Sequence, residues 1–456
     1  MIPPKPKSRP DKVSLARYAR LFRRDILSAQ PERLYRAWMA EFRTPFFRSY
    51  LVNQPELVRL VLRERPEAFP KSERIGEGLR PLLGNSVFLT NDATWERQRR
   101  IIDPAFEGGR LRDTFPAMLE AAHQAVERLA SRDGEVVEIE AEASHVAADV
   151  IFRTLFSIPV EHRIANRVFH QFRAHQRSQP ILNLAAFLPL PRWVPRFHGR
   201  RTRRTAAEIR ALIRELTERR KGEIAAGTAP DDLATKIMTT RDPETDETFG
   251  TEEMIDQVAI FFLAGHETSA SALGWALYLL ALCPDWQDRV AAEARMDAEP
   301  TLADVTGWRI SRDVFREALR LYPPVPMMVR QATRPERFRG RELAQGAQVV
   351  ISPWHLHRHA RLWENPDGFD PGRWQTENGR TCQRTAFLPF STGPRVCPGA
   401  GFAMLEGPLI LSLLVRAFVF EPVEDDAPEP VAHLTVRSAS GIRLRVRQRV
   451  SGTEPA

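Results

Sequence analysis

The sequence predicts a mainly α-helical fold with a smaller β-rich part, and three observations carry that expectation. Apolar residues recur at helix period along most of the 456-residue chain. Residues 251–283 contain no proline, read apolar on most sides and stop at Pro284. They therefore predict one long buried helix, roughly 50 Å at about 1.5 Å per residue. Strand-like alternation is confined to short segments at 46–52, 338–352 and 433–447.

Composition narrows the function classes. The chain is 43% hydrophobic and 27% charged, enough to bury a large core. Its formal net charge of +8 comes almost wholly from arginine, since the chain has only six lysines, Lys71 among them. A basic balance suits nucleic acid or an acidic protein partner. No nucleic-acid-binding motif accompanies it, so most of these arginines read as solvated surface. Cys283, Cys382 and Cys397 are too few, and odd in number, for a disulfide framework, which fits a reducing cytoplasm. The proline-rich, basic N-terminus lacks the apolar stretch of a signal peptide or membrane anchor. The longest apolar stretches elsewhere, 276–283 and 408–415, are too short to span a bilayer. The expectation is a soluble cytoplasmic monomer, with residues 1–13 a flexible tail and residues 14–456 one domain.

Taken in order, residues 15–38 read as helix and Pro55 opens a helix to about Arg63, a favoured place for proline. Residues 66–91 are broken by proline and glycine but keep large apolar side chains, including Phe88, as a pocket wall or a packed loop does. Trp95 and Arg99 follow on one helical face. Segments 111–129, 137–156 and 201–226 are helical by period, and Asp231 and Asp232 begin another helix. Between the second and third of these, residues 166–200 are apolar and punctuated by Pro180, Pro189, Pro191 and Pro195. Thr251 is the expected N-cap of the long helix, with Glu252 and Glu253 in its first turn. In its middle, Ala264-Gly265-His266-Glu267-Thr268 follows the apolar run around Phe261. Gly265 there serves either close helix packing or a ligand beside the helix, and Glu267 needs a partner if buried. Residues 315–320 form a short helix with Glu317 and Arg320 on one face. His355, His357 and His359 have no acidic or thiol partner at ligand spacing, so a metal cluster is not favoured. Residues 433–447 predict a terminal hairpin.

The strongest chemical signal is the loop Phe390-Ser391-Thr392-Gly393-Pro394-Arg395-Val396-Cys397-Pro398-Gly399-Ala400-Gly401-Phe402-Ala403. Gly393 and Gly399 allow turns that bring N–H groups to the sulfur. The helix start after Cys397 favours negative charge there, and Arg395 is expected to lower the thiol pKa. Phe390 can cover the sulfur and keep water away.

This pattern, F-x-x-G-x-R-x-C-x-G-x-x-x-A, resembles the heme-binding motif of the cytochrome P450 family at every motif position. The resemblance extends over about residues 15–447. It includes the W-x-x-x-R of Trp95 and Arg99, the A-G-x-E-T of residues 264–268, and the E-x-x-R of Glu317 and Arg320. It implies the cytochrome P450 fold, with heme b (iron protoporphyrin IX) between the long helix and the Cys397 loop. Cys397 would be the proximal thiolate ligand of iron, a ligand that favours O–O cleavage. Ala264, Gly265, Phe390 and Gly399 would line the heme, and Trp95, Arg99, Arg330 and Arg395 would hold it, largely through its propionates. Thr268 would hydrogen-bond dioxygen and Glu267 would relay protons. Arg373 would join Glu317 and Arg320 in a buried network bracing the cysteine loop. Phe88, Phe261, Ala264, Val325, Met327 and Met328 would line an apolar substrate pocket, and the proline-rich run in 166–200 would be its lid. His266 reads as a packing or polar-network residue.

The implied reaction is insertion of one oxygen atom from O2 into a hydrophobic organic molecule, driven by NAD(P)H. The chain carries no dinucleotide fingerprint and no cysteine cluster, so electrons would come from a separate ferredoxin or flavodoxin with its reductase. Arg97, Arg100, Arg110 and Arg112 are expected to dock that partner. Two other readings remain open: a heme-thiolate enzyme using or rearranging peroxide, and a non-enzymatic heme sensor.

Overall fold

In the computed structural model, residues 1–43, 48–107, 109–178 and 199–449 are described. The molecule is built on the helix Thr251–Ala281, whose 31 residues contain no proline and are buried along most of their length. It packs against the helices Ile139–Phe156, Arg200–Ala225, Arg309–Leu321 and Ala400–Ala417. A helix touched on this many sides needs an apolar surface all round, as its sequence has. Its N-cap is Gly250 rather than Thr251: the Gly250 N–H donates to Glu253 Oε2 at 3.0 Å, which satisfies an end group otherwise left unpaired. Trp275, near its C-terminal end, stacks on Tyr322 with centroids 3.9 Å apart and planes 9° from parallel.

The β-rich part is a mixed sheet ordered Met39–Arg43, Arg48–Val52, Gln348–Ile351, Met328–Gln331, in which only the middle pair is parallel. The C-terminal alternation does not form one hairpin. Val436–Ser438 pairs back onto Pro430–Ala432, while Arg443–Gln448 lies between Phe418–Pro422 and Val136–Glu138. Alternation reveals a strand but not its partner.

Other boundaries also move. The first helix ends at Arg24, because Asp25 turns the chain by accepting the Leu27 and Ser28 N–H groups. Residue 137 belongs to a strand, and the helix expected from there begins at Ile139. The helix opened by Pro55 continues past Arg59 as a wider π-turn over Leu60–Glu64. The helix carrying Glu317 spans Arg309–Leu321. Helix Ala400–Ala417 is by length and composition able to cross a membrane, longer than its apolar stretch suggested, but 67% of it is buried against the rest of the protein.

The expected flexible tail is docked. The Met1 carbonyl accepts the Phe369 N–H at 3.0 Å, and Tyr322 donates its hydroxyl to the Pro4 carbonyl at 2.7 Å. Lys5 pairs with Asp367 at 2.8 Å, and Arg9 donates to the Ala29 carbonyl. Prolines in an extended arm leave few unpaired donors, so the arm can lie against the body at little polar cost.

Candidate functional site

Cys397 leaves a 3-10 turn, Gly393–Arg395, just before the helix Ala400–Ala417. Its N–H donates to the Phe390 carbonyl at 2.9 Å, and the Val396 N–H to the Gly393 carbonyl at 3.0 Å. Gly393 is required twice over: its φ is +75°, and a Cβ there would lie 2.1 Å from the Leu62 carbonyl oxygen. Gly399 differs. Its φ of −82° suits any residue, and its contribution is a backbone N–H that draws the Cys397 thiol pKa down.

Burial nevertheless dominates and pushes the Cys397 thiol up, opposed by that N–H, Arg99 and Lys71. The expected role of Arg395 is therefore corrected. Its guanidinium lies 4.0 Å from the Trp95 ring centre and donates to the Thr90 carbonyl and Asn91 Oδ1. Cys397 is enclosed by protein and still keeps accessible surface, as a residue on the wall of an internal space does. On the long helix, Ala264 is exposed between buried Leu263 and buried His266. Ser269 ties that helix to the cysteine helix by donating to Glu406 Oε2 at 2.9 Å. Ala264 and Cys397 thus each keep accessible surface, on two elements that this bond holds together.

Cations gather near Cys397. Lys71 is held by Asn91, which bonds both its backbone N–H and its carbonyl, and its ammonium donates to the Phe88 carbonyl at 2.7 Å. Burial, then Arg330, Arg395 and Arg99, push its pKa well below the usual lysine value. Arg330, on the strand Met328–Gln331, is lowered to about 10 by burial and then by Arg395. Arg395 is likewise lowered to about 10, by burial first. Of the four, only Arg99 has a carboxylate in ion-pair contact among the described residues, Asp103 at 2.9 Å; it also donates to the Val396 carbonyl at 2.9 Å. Like charges crowded in a low dielectric are unfavourable unless an anion joins them. An enclosed but accessible soft thiol beside such a surplus fits an iron porphyrin carrying two propionates. Lys71 was not legible in the sequence, where nothing distinguishes it from a surface lysine.

On the long helix, Thr268 donates its hydroxyl to the Ala264 carbonyl at 2.5 Å. Glu267 is buried and pairs with Arg437 at 3.1 Å, while the Thr435 hydroxyl donates to its other oxygen at 3.3 Å. Burial raises its pKa. His266 turns away to Ser144, 2.7 Å from Nε2, and burial drops its pKa to about 3, so it is a neutral network residue as expected. The missing side chain of Gly265 faces the helix Ile139–Phe156. A Cβ there would strike Ile151 at 2.3 Å, so close packing on the helix Ile139–Phe156 is its reason.

Each expected pocket residue keeps some accessible surface. Phe88 lies beneath the Lys71 ammonium at 4.6 Å, and Phe261 packs on Phe106 with centroids 5.8 Å apart. Met328 packs against the core that includes Val349 and Ile351, whereas Val325 and Met327 are half-buried. The expected lid falls largely in residues 179–198, outside the described residues.

The brace forms as expected. Glu317 takes both guanidinium edges, Arg320 at 2.8 and 2.9 Å and Arg373 at 2.9 Å, with all three side chains buried. Its link to the cysteine loop is His357. Nδ1 donates to the Arg320 carbonyl at 3.2 Å, and Nε2 accepts the Leu388 N–H at 2.8 Å, just before Phe390. His355 is likewise occupied, by Ser352, and no group of residues able to hold a metal ion by itself occurs among the described residues.

The cytochrome P450 family model matches residues 38–446. The chain belongs to the cytochrome P450 family. Among its relatives, cyclooctatin synthase of Streptomyces melanosporofaciens is 31% identical, covering 85% of this chain and 84% of the relative. Cyclooctat-9-en-7-ol 5-monooxygenase of the same organism is 30% identical over 84% and 83%. Cytokinin hydroxylase of Arabidopsis thaliana is 29% identical over 86% and 77%. The crystal structure of the cytochrome P450DA heme domain superimposes with a TM-score of 0.79 over 98% of both chains at 26% identity. Family membership makes this a heme-dependent cytochrome P450 monooxygenase, acting with O2, a redox partner and a hydrophobic substrate.

Proposed function

We propose that this cytochrome P450 binds heme b through Cys397 and inserts one oxygen atom from O2 into a hydrophobic small molecule in the cytoplasm. In this reading residues 14–456 act as a single heme domain, as a monomer, with electrons from NAD(P)H through a separate ferredoxin or flavodoxin and its reductase. The observation that carries it is the enclosed, open-faced Cys397 beside a surplus of buried cations.

Bound there, heme supplies the redox chemistry that splits O2, one atom going to substrate and the other to water. The chain's own residues do the rest. Arg330, Arg395, Arg99 and Lys71 neutralise the propionates, and Trp95 orients Arg395 by lying under it. The Gly399 N–H stabilises the thiolate form of Cys397, and Phe390 anchors its backbone. Thr268 presents a hydroxyl on the long helix, and Glu267 is the adjacent acid from which protons reach it. This intact pair favours O2 over peroxide as oxidant.

For the redox partner, Arg97, Arg100 and Arg110 are engaged by Glu253, Asp242 and Asp231 respectively. Exposed Arg112 is left as the candidate docking cation of the four. Cys397→Ser tests the assignment: the ferrous–CO band should lose its thiolate-type position, and an unchanged band would sink it. Oxygen consumption with NAD(P)H and a surrogate ferredoxin, set against turnover with hydrogen peroxide, separates monooxygenase from peroxygenase.

A further inference from the structure

The segment 82–91, which carries Phe88, is tied down at both ends. At one end stands Asp256, on the long helix, 7% exposed and with both oxygens taken. Oδ2 accepts the Asn85 N–H at 2.7 Å, and Oδ1 pairs with Arg210 Nη1 at 2.6 Å. That nitrogen also donates to the Leu82 carbonyl at 3.1 Å. Arg210 lies on the helix Arg200–Ala225, so one carboxylate joins three separate parts of the chain. Gly84 permits the approach: its φ is +50°, and a Cβ there would lie 2.1 Å from Asp256 Oδ1. The neighbouring Gln257, fully buried, adds a second hold by accepting the Val87 N–H at 2.9 Å.

The other end meets the cations near Cys397. The Phe88 carbonyl accepts from Lys71, and Arg395 donates to the Thr90 carbonyl and to Asn91. Gln98 spans the two ends, donating to the Asn85 carbonyl at 2.7 Å and accepting the Thr90 hydroxyl at 2.6 Å. Phe88, half-buried, therefore sits in a wall whose place relative to the helix Arg200–Ala225 is fixed through Asp256. A second ion pair, Arg214 with Glu252, joins the same two helices at more exposed side chains. Among the described residues, neither of its partners bonds to the segment 82–91.

We propose that Asp256 is a positioning residue that latches the helix Arg200–Ala225 to the segment 82–91, and that release of this latch sets how fast apolar molecules enter and leave the heme cavity. Separating the two elements strips a buried carboxylate of its cation and of a backbone N–H, which is strongly unfavourable. The helix therefore parts from the segment only when Asp256 gives way, and otherwise the two shift together. A latch acts on the barrier to passage and not on the contacts a ligand makes once inside. It therefore changes both rates and leaves affinity nearly alone. The consequence for ligand passage rests on the reading that heme binds at Cys397; the latch itself does not.

Hydrogen–deuterium exchange of the purified protein, read peptide by peptide in a mass spectrometer, tests the latch. Asp256→Asn keeps the shape and removes the charge, and Arg210→Met removes the cation. Both should speed exchange in the segment 82–91 about tenfold or more, the effect of losing a charge-assisted hydrogen bond. Arg214→Met should leave that segment unchanged. No change in the two latch variants, an equal change in Arg214→Met, or faster exchange spread to distant strands such as Arg443–Gln448 would overturn the proposal. In the heme-loaded protein, stopped-flow binding of phenylimidazole, an apolar iron ligand, should show entry and exit both several-fold faster in the latch variants, with Kd nearly unchanged. Unaltered rates beside faster exchange would overturn the role in ligand passage. A wild-type protein that gives no phenylimidazole spectrum would instead count against heme at Cys397, with exchange still deciding the latch.

Discussion

Removing Glu317 should cost more than removing either of its arginine partners. Glu317 is fully buried and is the single carboxylate shared by Arg320 and Arg373. Glu317→Gln keeps the volume and removes the charge, leaving two guanidiniums buried without a counter-ion. Breaking a buried pair by deleting one partner costs about 3–5 kcal/mol. Arg320 keeps hydrogen bonds to the His357, Pro366 and Gly368 carbonyls, and Arg373 keeps bonds to those of Glu364, Asn365 and Gly368. These soften the loss but cannot neutralise either charge. Arg373→Met leaves the two-edged Glu317–Arg320 pair intact, so no buried charge is left without a counter-ion. Urea unfolding of the heme-loaded variants, followed by heme absorbance and tryptophan fluorescence, measures both. Glu317→Gln should lose about two to three powers of ten in the folding constant at 1.4 kcal/mol per tenfold, with Arg373→Met milder. Equal or reversed losses would refute the view that one carboxylate holds two buried cations.

Lys71→Met should stabilise the heme-free protein, by relieving the crowd of Lys71, Arg330, Arg395 and Arg99, yet speed heme loss to an acceptor protein; slower loss would show that Lys71 does not help hold the propionates. Gly393→Ala should weaken heme retention more than Gly399→Ala, because only Gly393 has positive φ and abuts the Leu62 carbonyl; left-handed backbone alone costs about 1–2 kcal/mol. Equal retention in the two variants would contradict the loop geometry. Glu406 is pushed up to about 8 by burial, from an ordinary value of 4.5. The folded state therefore holds an extra proton between roughly pH 4.5 and 8. Its stability should fall by about 1.4 kcal/mol per unit as pH rises through that window. Glu406→Gln should flatten that slope in denaturant titrations at several pH values, and an unchanged slope would show that Glu406 is ionised in the folded protein.

Much of this was readable without coordinates. The Cys397 loop, the Glu267–Thr268 pair and the Glu317–Arg320 spacing are set by chemistry within a turn or two of chain, where offset along the sequence translates directly into position. The long helix was readable too, since a proline-free apolar run has little other use. Gly265 shows the limit of this reasoning. The sequence marks a glycine that something approaches closely, and only the structure decides that the approaching group is Ile151.

What tertiary structure decided is which distant groups meet. Lys71 joins Arg330 and Arg395 across more than half the chain, His357 carries the brace to Leu388, and Arg437 reaches back to Glu267. Lys71, His357 and Arg437 have no local pattern, because each is an ordinary polar residue in its own segment. The same is true of the C-terminal strands, whose alternation was visible while their partners, Phe418–Pro422 and Val136–Glu138, were not. By itself the sequence marked Cys397, Glu267, Thr268 and the helical frame, because local geometry is enough to express them. The charge environment around those groups was left to folding, since electrostatic interaction depends on distance through space and not on separation along the chain.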